Sequence, residues 1–167
     1  MRYPPPAFEQ KIRDPARIAV AFAALPRPRV FTNGVFDVLH RGHVTYLAQA
    51  RAQGASLIVA LNSDASTRRL GKGEERPINR LEDRAAVIAA LESVSAVTWF
   101  EDDTPLALIQ LLRPEVLIKG GDWQAPAMVG ASEVIGWGGA VHSIPFLHQK
   151  STTALLDAIL KKFNKNK

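Results

Sequence analysis

The sequence contains no cysteine among its 167 residues. This absence excludes disulfides, thiolate nucleophiles and cysteine-ligated metals, and it is consistent with a reducing compartment. Long hydrophobic runs are also missing: the apolar stretch Ile18–Leu25 is far shorter than the ~20 residues that cross a bilayer. Met1–Pro6 lacks the apolar core of a signal peptide. We therefore expect a cytoplasmic protein with no membrane association.

Positive and negative charges nearly balance outside the end of the chain. The formal net charge is +5, and Lys161, Lys162, Lys165 and Lys167 supply four of those charges. No basic stripe interleaved with aromatic residues appears elsewhere, so we expect no nucleic-acid partner. The length suits one domain. We place it at residues 29–163, after an N-terminal extension with a helix (1–28) and before a basic tail (164–167).

Apolar stretches of strand length alternate with amphipathic helical patterns along the chain. The predicted strands are Val30–Asn33, Ser56–Leu61, Ala96–Phe100, Glu115–Lys119 and Ala140–Ile144. The predicted helices are Pro15–Leu25, His43–Gln53, Arg80–Leu91, one opening at Thr104-Pro105, Met128–Trp137, and one capped by Ser151-Thr152-Thr153. This alternation is typical of an α/β fold. We predict a single Rossmann-like domain, with a five-stranded parallel sheet and helices on both faces.

Polar and glycine-bearing segments follow four of these strands. They are Thr32–His43, Asn62–Asp64, Lys119–Trp123 and His148–Thr153, and a further polar segment, Leu70–Asn79, is expected to be a loop. In doubly wound sheets, ligands bind beyond the carboxyl ends of the strands, where the strand order reverses. The pattern therefore predicts one site at that edge.

The most informative stretch is Val30–His43, V-F-T-N-G-V-F-D-V-L-H-R-G-H. A strand breaks at Gly34, and His40 and His43 come just before a helix. Helix-start N–H groups lack intrahelical partners and attract anions, and Gly42 allows a ligand to approach the backbone. We predict a phosphate site for a nucleoside triphosphate. The two histidines have no third ligand at useful spacing, so we expect no protein metal site, and there is no P-loop or dinucleotide turn.

The segment Thr32–His43 resembles the signature of the cytidylyltransferase-like nucleotidyltransferases, whose H-x-G-H element opens a helix. Arg76–Arg84 (R-P-I-N-R-L-E-D-R), Lys119–Trp123 (K-G-G-D-W) and the late Ser-Thr-Thr resemble one branch of that family. This branch transfers AMP from ATP to D-glycero-β-D-manno-heptose 1-phosphate during lipopolysaccharide core synthesis. The resemblance implies attack by a sugar 1-phosphate oxygen on the α-phosphorus of ATP, with pyrophosphate released and Mg²⁺ as the cofactor.

The resemblance also implies roles for individual residues. The catalytic candidates are His40, His43, Lys72 and Arg80. The nucleotide-binding candidates are Thr32, Asn33, Gly34, Phe36, Gly42, Lys119, Gly121, Asp122, Trp123, Ser151, Thr152 and Thr153. The sugar phosphate candidates are Asp37, Asp64, Lys72 and Arg80.

Structural alternatives stay open for several of these residues. Asp37 could instead tie its turn together through backbone N–H groups, and the histidines could cap the helix start. Arg76 is a weaker candidate. Related cytidylyltransferases carry arginine and glycine before the late Ser-Thr, whereas this chain has His148-Gln149-Lys150. We expect Lys150 to substitute as the cation there.

Two other functions fit the same pattern. One is cytidylyl transfer from CTP to glycerol 3-phosphate or phosphoethanolamine, and the other is nucleotide binding without turnover. We also expect a homodimer, with apolar surface supplied by the N-terminal helix and the Val94–Phe100 region.

Overall fold

A computed structural model describes residues 3–71, 76–148 and 152–164. The strands are β1 (Arg29–Gly34), β2 (Ser56–Asn62), β3 (Ala96–Phe100), β4 (Val116–Gly120) and β5 (Ala140–Ile144). The helices are α1 (Ile18–Ala23), α2 (Arg41–Arg51), α3 (Asp64–Arg69), α4 (Leu81–Ala89), α5 (Leu106–Leu112), α6 (Ala131–Gly136) and α7 (Thr152–Asn164), with 3-10 turns at Ala7–Lys11 and Ala125–Ala127.

The five strands form one parallel sheet in the order β3-β2-β1-β4-β5. The chain builds outward from β1 through β2 to β3, then crosses back to place β4 on the other side of β1. The strand order therefore reverses between β1 and β4, where ligands bind in such sheets. The predicted fold class is confirmed.

Alternate residues of the strands point to opposite faces of the sheet and pack into a hydrophobic core on each face. Val30, Leu57, Val59 and Ile118 face α2 and α4, which contribute Leu47 and Ile88 among others. Phe31, Ile58, Ala60 and Leu117 face the opposite layer, which includes α1, α5 and α6. Strand β2, which lies between β3 and β1, is buried along its whole length.

The N-terminal segment packs against the rest of the domain. Ile18 and Phe22 of α1 are buried in the core on one face of the sheet, whereas Val20 between them is 80% exposed. Upstream of α1, Ile12 bridges Val97 of β3, and Arg13 N donates to the Val97 carbonyl at 2.8 Å. This segment covers the outer edge of the sheet.

The part of the expected homodimer surface around Val94–Phe100 is not available. Val94, Val97 and Phe100 are 1%, 0% and 7% exposed, because the N-terminal segment and α1 cover them. The prediction that this region supplies apolar surface was wrong.

Element boundaries also differ from the predictions. A short helix, α3, follows β2 directly, where we expected a turn; the Ser63 hydroxyl caps it by accepting from Ser66 N at 3.1 Å. The sixth helix begins at Ala131 rather than Met128, and the fourth spans Leu81–Ala89. Among the described helices, none has the length and apolar character needed to span a membrane.

Candidate active site

Two adjoining cavities open above the carboxyl ends of the strands. The larger, about 590 Å³, is lined by His43, Tyr46, Phe146 and Thr152, among others. The smaller, about 300 Å³, lies toward β2 and includes Asn62, Asp103 and Met128. Their shared wall contains Asn33, Gly34, Val35, Lys119 and Trp123. Because this wall comes from β1 and β4, the cavities form one crevice at the point where the strand order reverses.

The two histidines of the H-x-G-H element lie together, as predicted. Their rings stack with centroids 3.9 Å apart and an interplanar angle of 21°. His40 is the N-cap of α2, and its carbonyl accepts from His43 N at 3.0 Å. Its side chain makes no capping hydrogen bond. The capping alternative therefore does not explain why histidine stands at this position.

Both imidazoles favour the neutral form. Burial lowers the pKa of His43 to about 4, and the neighbouring His40 adds to the shift. Burial also lowers the pKa of His40. In both rings Nδ1 is buried and has no hydrogen-bond partner in the described part of the chain. Because both Nδ1 atoms are shielded, the other ring nitrogen, Nε2, is the one that a phosphate oxygen in the crevice could reach.

Close packing shapes the turn that carries these rings. Phe36 adopts a left-handed backbone conformation (φ 49°), and its ring meets that of His43 edge-on at 5.3 Å. A Cβ on Gly34 would lie 2.8 Å from the Phe36 ring. At Gly42, a Cβ would lie 3.0 Å from the His40 ring and 3.1 Å from the His148 carbonyl oxygen. Glycine is therefore required where the turn passes beneath the aromatic rings.

Thr32 lies below the crevice rather than inside it. Its side chain is fully buried, and its hydroxyl lies 2.5 Å from the Tyr46 hydroxyl. Tyr46 also donates to the Ile118 carbonyl at 3.3 Å and lines the larger cavity. The α-phosphate contact predicted for Thr32 would need Thr32 to leave this pairing, so Tyr46 is the polar side chain that faces the cavity.

Asp37 ties the first turn to the segment before α4. Its carboxylate accepts from Ile78 N and Asn79 N at 2.9 Å, and from Arg76 at 2.9 Å. Burial alone would raise the pKa of Asp37, but these hydrogen bonds and the Arg76 charge outweigh it and hold that pKa below its usual value. The structural alternative for Asp37 matches this geometry better than a contact with the sugar.

Arg84 is a functional-region residue that the sequence reasoning missed. Its side chain is fully buried and donates to the Val35 carbonyl (2.7 Å), the Asn79 carbonyl (3.0 Å) and Asp64 (2.7 Å). It thereby joins the turn after β1, the segment before α4 and the start of α3. The Asp64 carboxylate, predicted to contact sugar, is paired here with Arg84. In the sequence, only the spacing of R-L-E-D-R could have indicated this role, because it places Arg84 on the buried side of α4.

The end of β4 forms the other wall of the crevice. Lys119 Nζ donates to the Asn33 side-chain oxygen at 3.1 Å and lies 6.0 Å from the Trp123 ring centroid. Gly121 has φ 111°, and the turn that follows leaves Asp122 exposed and Trp123 48% exposed. A Cβ on Gly120 would lie 2.7 Å from the Phe146 ring. Phe146, which we had not singled out, is the aromatic side chain that closes this end.

The remaining candidates differ in whether they line the crevice. Thr152 begins α7, lines the larger cavity, and places its hydroxyl 3.5 Å from the Val38 carbonyl. Arg80 is the exposed N-cap of α4, whereas Arg76 lines the larger cavity. Thr153 lies in α7. Lys72, Lys150 and Ser151 lie outside the described residues.

No cluster of three histidine, aspartate or glutamate side chains able to hold a metal ion occurs among the residues at 3–71, 76–148 and 152–164. Asp37 and Asp64 are both engaged by arginines.

Comparison with known proteins identifies relatives of this chain. The family model described as cytidylyltransferase-like matches residues 31–156. The chain is 56% identical over 154 residues to the D-beta-D-heptose 1-phosphate adenylyltransferase of Bordetella bronchiseptica, a match that covers 91% of this chain and 95% of that protein. It is 55% identical over 132 residues to the bifunctional protein HldE of Hahella chejuensis, which is 79% of this chain and 28% of that protein.

Solved structures share the fold. The lipopolysaccharide core biosynthesis protein from Thermoplasma volcanium superposes with a TM-score of 0.59 at 26% identity, over 73% of this chain and 98% of that one. Pantothenate synthetase from Thermus thermophilus superposes with a TM-score of 0.54 at 19% identity, over 77% of this chain and 59% of that one; this is a likeness of fold alone. With the family model spanning β1 to α7 and the histidine pair at the strand-order reversal, the chain belongs to the cytidylyltransferase-like family.

Proposed function

We propose that this protein transfers AMP from ATP to D-glycero-β-D-manno-heptose 1-phosphate, forming ADP-heptose and pyrophosphate. The observation that carries this is the stacked His40–His43 pair at the head of α2, because His43 lines a crevice large enough for a nucleotide. The 56% identity to a heptose 1-phosphate adenylyltransferase over nearly the whole chain supports ATP as the donor and heptose 1-phosphate as the acceptor. Because ATP is the donor, we assign the reaction to the cytoplasm.

The chemistry explains why the site carries hydrogen-bond donors and positive charge. The attacking phosphate oxygen is already ionised near neutral pH, so the reaction needs no strong base. The barrier comes from bringing two anions together and from charge that grows on the α- and bridging oxygens. Fixed donors in a water-poor crevice stabilise that charge best. His40 and His43 supply ring N–H groups to the α- and β-phosphates.

The larger cavity suits the triphosphate and its nucleoside. Thr152 at the start of α7 offers a hydroxyl and helix-start N–H groups to the β- and γ-phosphates, together with Ser151 and Thr153. Asp122 and Trp123, on the turn after β4, bind the ribose and base. Lys119, Lys72 and Arg80 supply positive charge to the phosphates. The roles of Ser151 and Lys72 rest on the family motif alone, and the other roles rest on position in the fold as well.

The cofactor we assign is Mg²⁺, which neutralises phosphate charge when bound. The donor set fits a cation held chiefly by phosphate oxygens, since Asp37 and Asp64 are committed to arginines. The protein's own contribution is to orient both substrates and to supply N–H donors.

A pyrophosphate-release assay tests the proposal. ATP and CTP are each paired with heptose 1-phosphate and with glycerol 3-phosphate. We expect turnover with ATP and heptose 1-phosphate alone. Turnover with CTP alone would instead identify a cytidylyltransferase, and nucleotide binding without pyrophosphate release would identify a non-catalytic module.

A further inference from the structure

One arginine that lines the crevice has no part in the reaction as described above. Arg76 lines the larger cavity, and its side chain is only 16% exposed. Among the described residues that line this cavity, the lysine and arginine side chains are Lys119 and Arg76. A guanidinium keeps its charge at every ordinary pH and presents five N–H groups in one plane, which suits it to bind phosphate. Arg76 is therefore placed to bind a second anion in the crevice.

A buried carboxylate holds Arg76 in position. Asp37, whose side chain is 2% exposed, accepts from Nη1 of Arg76 at 2.9 Å. This is the one hydrogen bond that the Arg76 side chain makes within the described part of the chain, so its other N–H groups are available to a ligand. Asp37 also accepts from Ile78 N and Asn79 N at 2.9 Å, which fixes the backbone that follows Arg76. The arginine is thus oriented by the fold itself.

Arg76 and Lys119 reach the crevice from opposite sides of β1. The Arg84 guanidinium donates to both the Asn79 carbonyl and Asp64, and so joins the segment before α4 to α3, which follows β2. Lys119 belongs to β4, and β2 and β4 flank β1 in the sheet. The turn after β4, proposed above to bind the ribose and base, lies on the Lys119 side. The β2 side therefore carries a cation of its own.

We propose that Arg76, held by Asp37, binds the phosphate of the acceptor and directs its oxygen toward the α-phosphorus of ATP. This inference rests on the proposed function, because it assigns a residue to the second substrate of that reaction. The acceptor phosphate is a monoester with about two negative charges at neutral pH. A fixed guanidinium offsets this charge and orients the oxygens by paired hydrogen bonds. The smaller cavity, which includes Asn62 of β2, adjoins this position and receives the sugar.

Arg76 acts by charge and position alone. An oxygen of the acceptor phosphate forms a bond to the α-phosphorus, while the bond from that phosphorus to the bridging oxygen breaks and its electron pair leaves with pyrophosphate. Arg76 stays protonated throughout this step. Removing Arg76 should therefore weaken acceptor binding more than ATP binding. Asp37 does not touch the substrate, so it is a positioning residue.

The test compares Arg76→Ala with the matched control Arg27→Ala. Arg27 also precedes a proline and pairs with a carboxylate, Glu115, that accepts a backbone N–H, but it is not among the described residues that line the crevice. In pyrophosphate-release assays, we expect Arg76→Ala to raise the KM for heptose 1-phosphate about tenfold or more, with the KM for ATP within about twofold of the wild-type value. Arg27→Ala should change neither KM.

Further variants separate a substrate contact from a structural role. Arg76→Lys keeps the charge but loses the planar set of donors, so its KM for heptose 1-phosphate should lie between those of the wild type and Arg76→Ala; it carries the test should Arg76→Ala fail to fold. Asp37→Asn should raise the same KM, because Arg76 is present but no longer held. Millimolar guanidinium chloride should lower the KM of Arg76→Ala, but not that of the double variant Arg76→Ala with Asp37→Asn, which lacks the carboxylate that would bind the ion.

Each contrary result has a distinct meaning. An unchanged KM for heptose 1-phosphate in Arg76→Ala, or a rise in the KM for ATP of equal size, would overturn the assignment of Arg76. An unchanged KM in Asp37→Asn would remove the positioning role. Failure of the proposed function looks different, since the wild type would release no pyrophosphate from ATP and heptose 1-phosphate. The acceptor that does support release then takes its place in the same assays.

A protein without any turnover is tested by calorimetric titration with inorganic phosphate. Binding to the wild type and to Arg27→Ala, with loss of binding in Arg76→Ala, would support the assignment of Arg76 although the proposed function had failed. Equal binding to all three proteins, or no binding to the wild type, would contradict it.

Discussion

The His40 and His43 rings lie face to face, 3.9 Å between centroids, with both Nδ1 atoms buried and without partners in the described structure. The shielded Nδ1 atoms leave the other ring nitrogen, Nε2, as the one that a phosphate oxygen could reach. Stacking two imidazoles also disfavours double protonation, because the two charges would repel at short range. The pair is therefore suited to donating two neutral N–H groups to neighbouring phosphate oxygens.

Replacing either ring by alanine should abolish most of the activity. We expect His40→Ala and His43→Ala each to lower kcat on the order of 100-fold or more, the usual cost of one transition-state donor. His142→Ala is the matched control, since His142 is exposed on β5, away from the residues that line the crevice. Steady-state pyrophosphate release measures the effect. Full activity in His43→Ala would remove the catalytic role from the pair.

The buried histidine should also make stability depend on pH. The pKa of His43 is lowered to about 4 in the folded protein, against an ordinary value of 6.5. Between these values the unfolded chain binds more protons, so the free energy of unfolding should fall as pH drops from 6.5 to 4. Urea titrations across this range should show a smaller fall for His43→Gln. Equal slopes for both proteins would mean that His43 is not desolvated.

The buried guanidinium of Arg84 should be important for stability. Arg84→Met leaves the Asp64 carboxylate and two carbonyls without their donor, and we expect a loss of about 3–5 kcal/mol. The control is Arg69→Met, which removes an ion pair to Asp103 whose side chains are 49% and 72% exposed. It should cost no more than ~1 kcal/mol. Denaturant unfolding separates the two, and similar losses would contradict the burial argument.

Glycine beneath the histidines should be irreplaceable. A Cβ on Gly42 would press on both the His40 ring and the His148 carbonyl, so Gly42→Ala should displace the ring and lower kcat/KM for ATP by at least tenfold. Gly136→Ala is the control, because a Cβ there meets nothing within 4 Å. That helical substitution should be neutral or stabilising by roughly 0.5–1 kcal/mol. A fully active Gly42→Ala would show that the ring position tolerates adjustment.

The order of elements and the location of the site could be predicted from sequence because both depend on local signals. Continuous apolar runs such as Ser56–Leu61 predict doubly buried strands, and parallel strands bring their carboxyl ends to one edge. The stretch Val30–His43 therefore predicted a site at the strand end where the crevice opens. Helix α3 was missed although Ser63 is a good N-cap, because its six residues carry no apolar stripe that predicts a helix.

The residues that support the site could not be predicted in the same way. Arg84 reads as a surface charge in sequence, and its three acceptors come from segments up to 49 positions away. Thr32 was expected at the phosphate but pairs with Tyr46, since the side chain of a central strand faces the core. Arg76 was ranked below Arg80, yet the turn anchored by Asp37 places Arg76 in the cavity.

The sequence by itself determined the chemistry of this protein: a paired histidine at a helix start, no thiols, and polar residues after buried strands. Only the tertiary structure decided which surfaces are covered. The N-terminal segment covers the β3 edge with Ile12 and buries Val97, while Leu160 and Phe163 of α7 stay exposed. The reason is physical, because periodicity shows that a helix has an apolar side but only packing between distant segments shows what covers it.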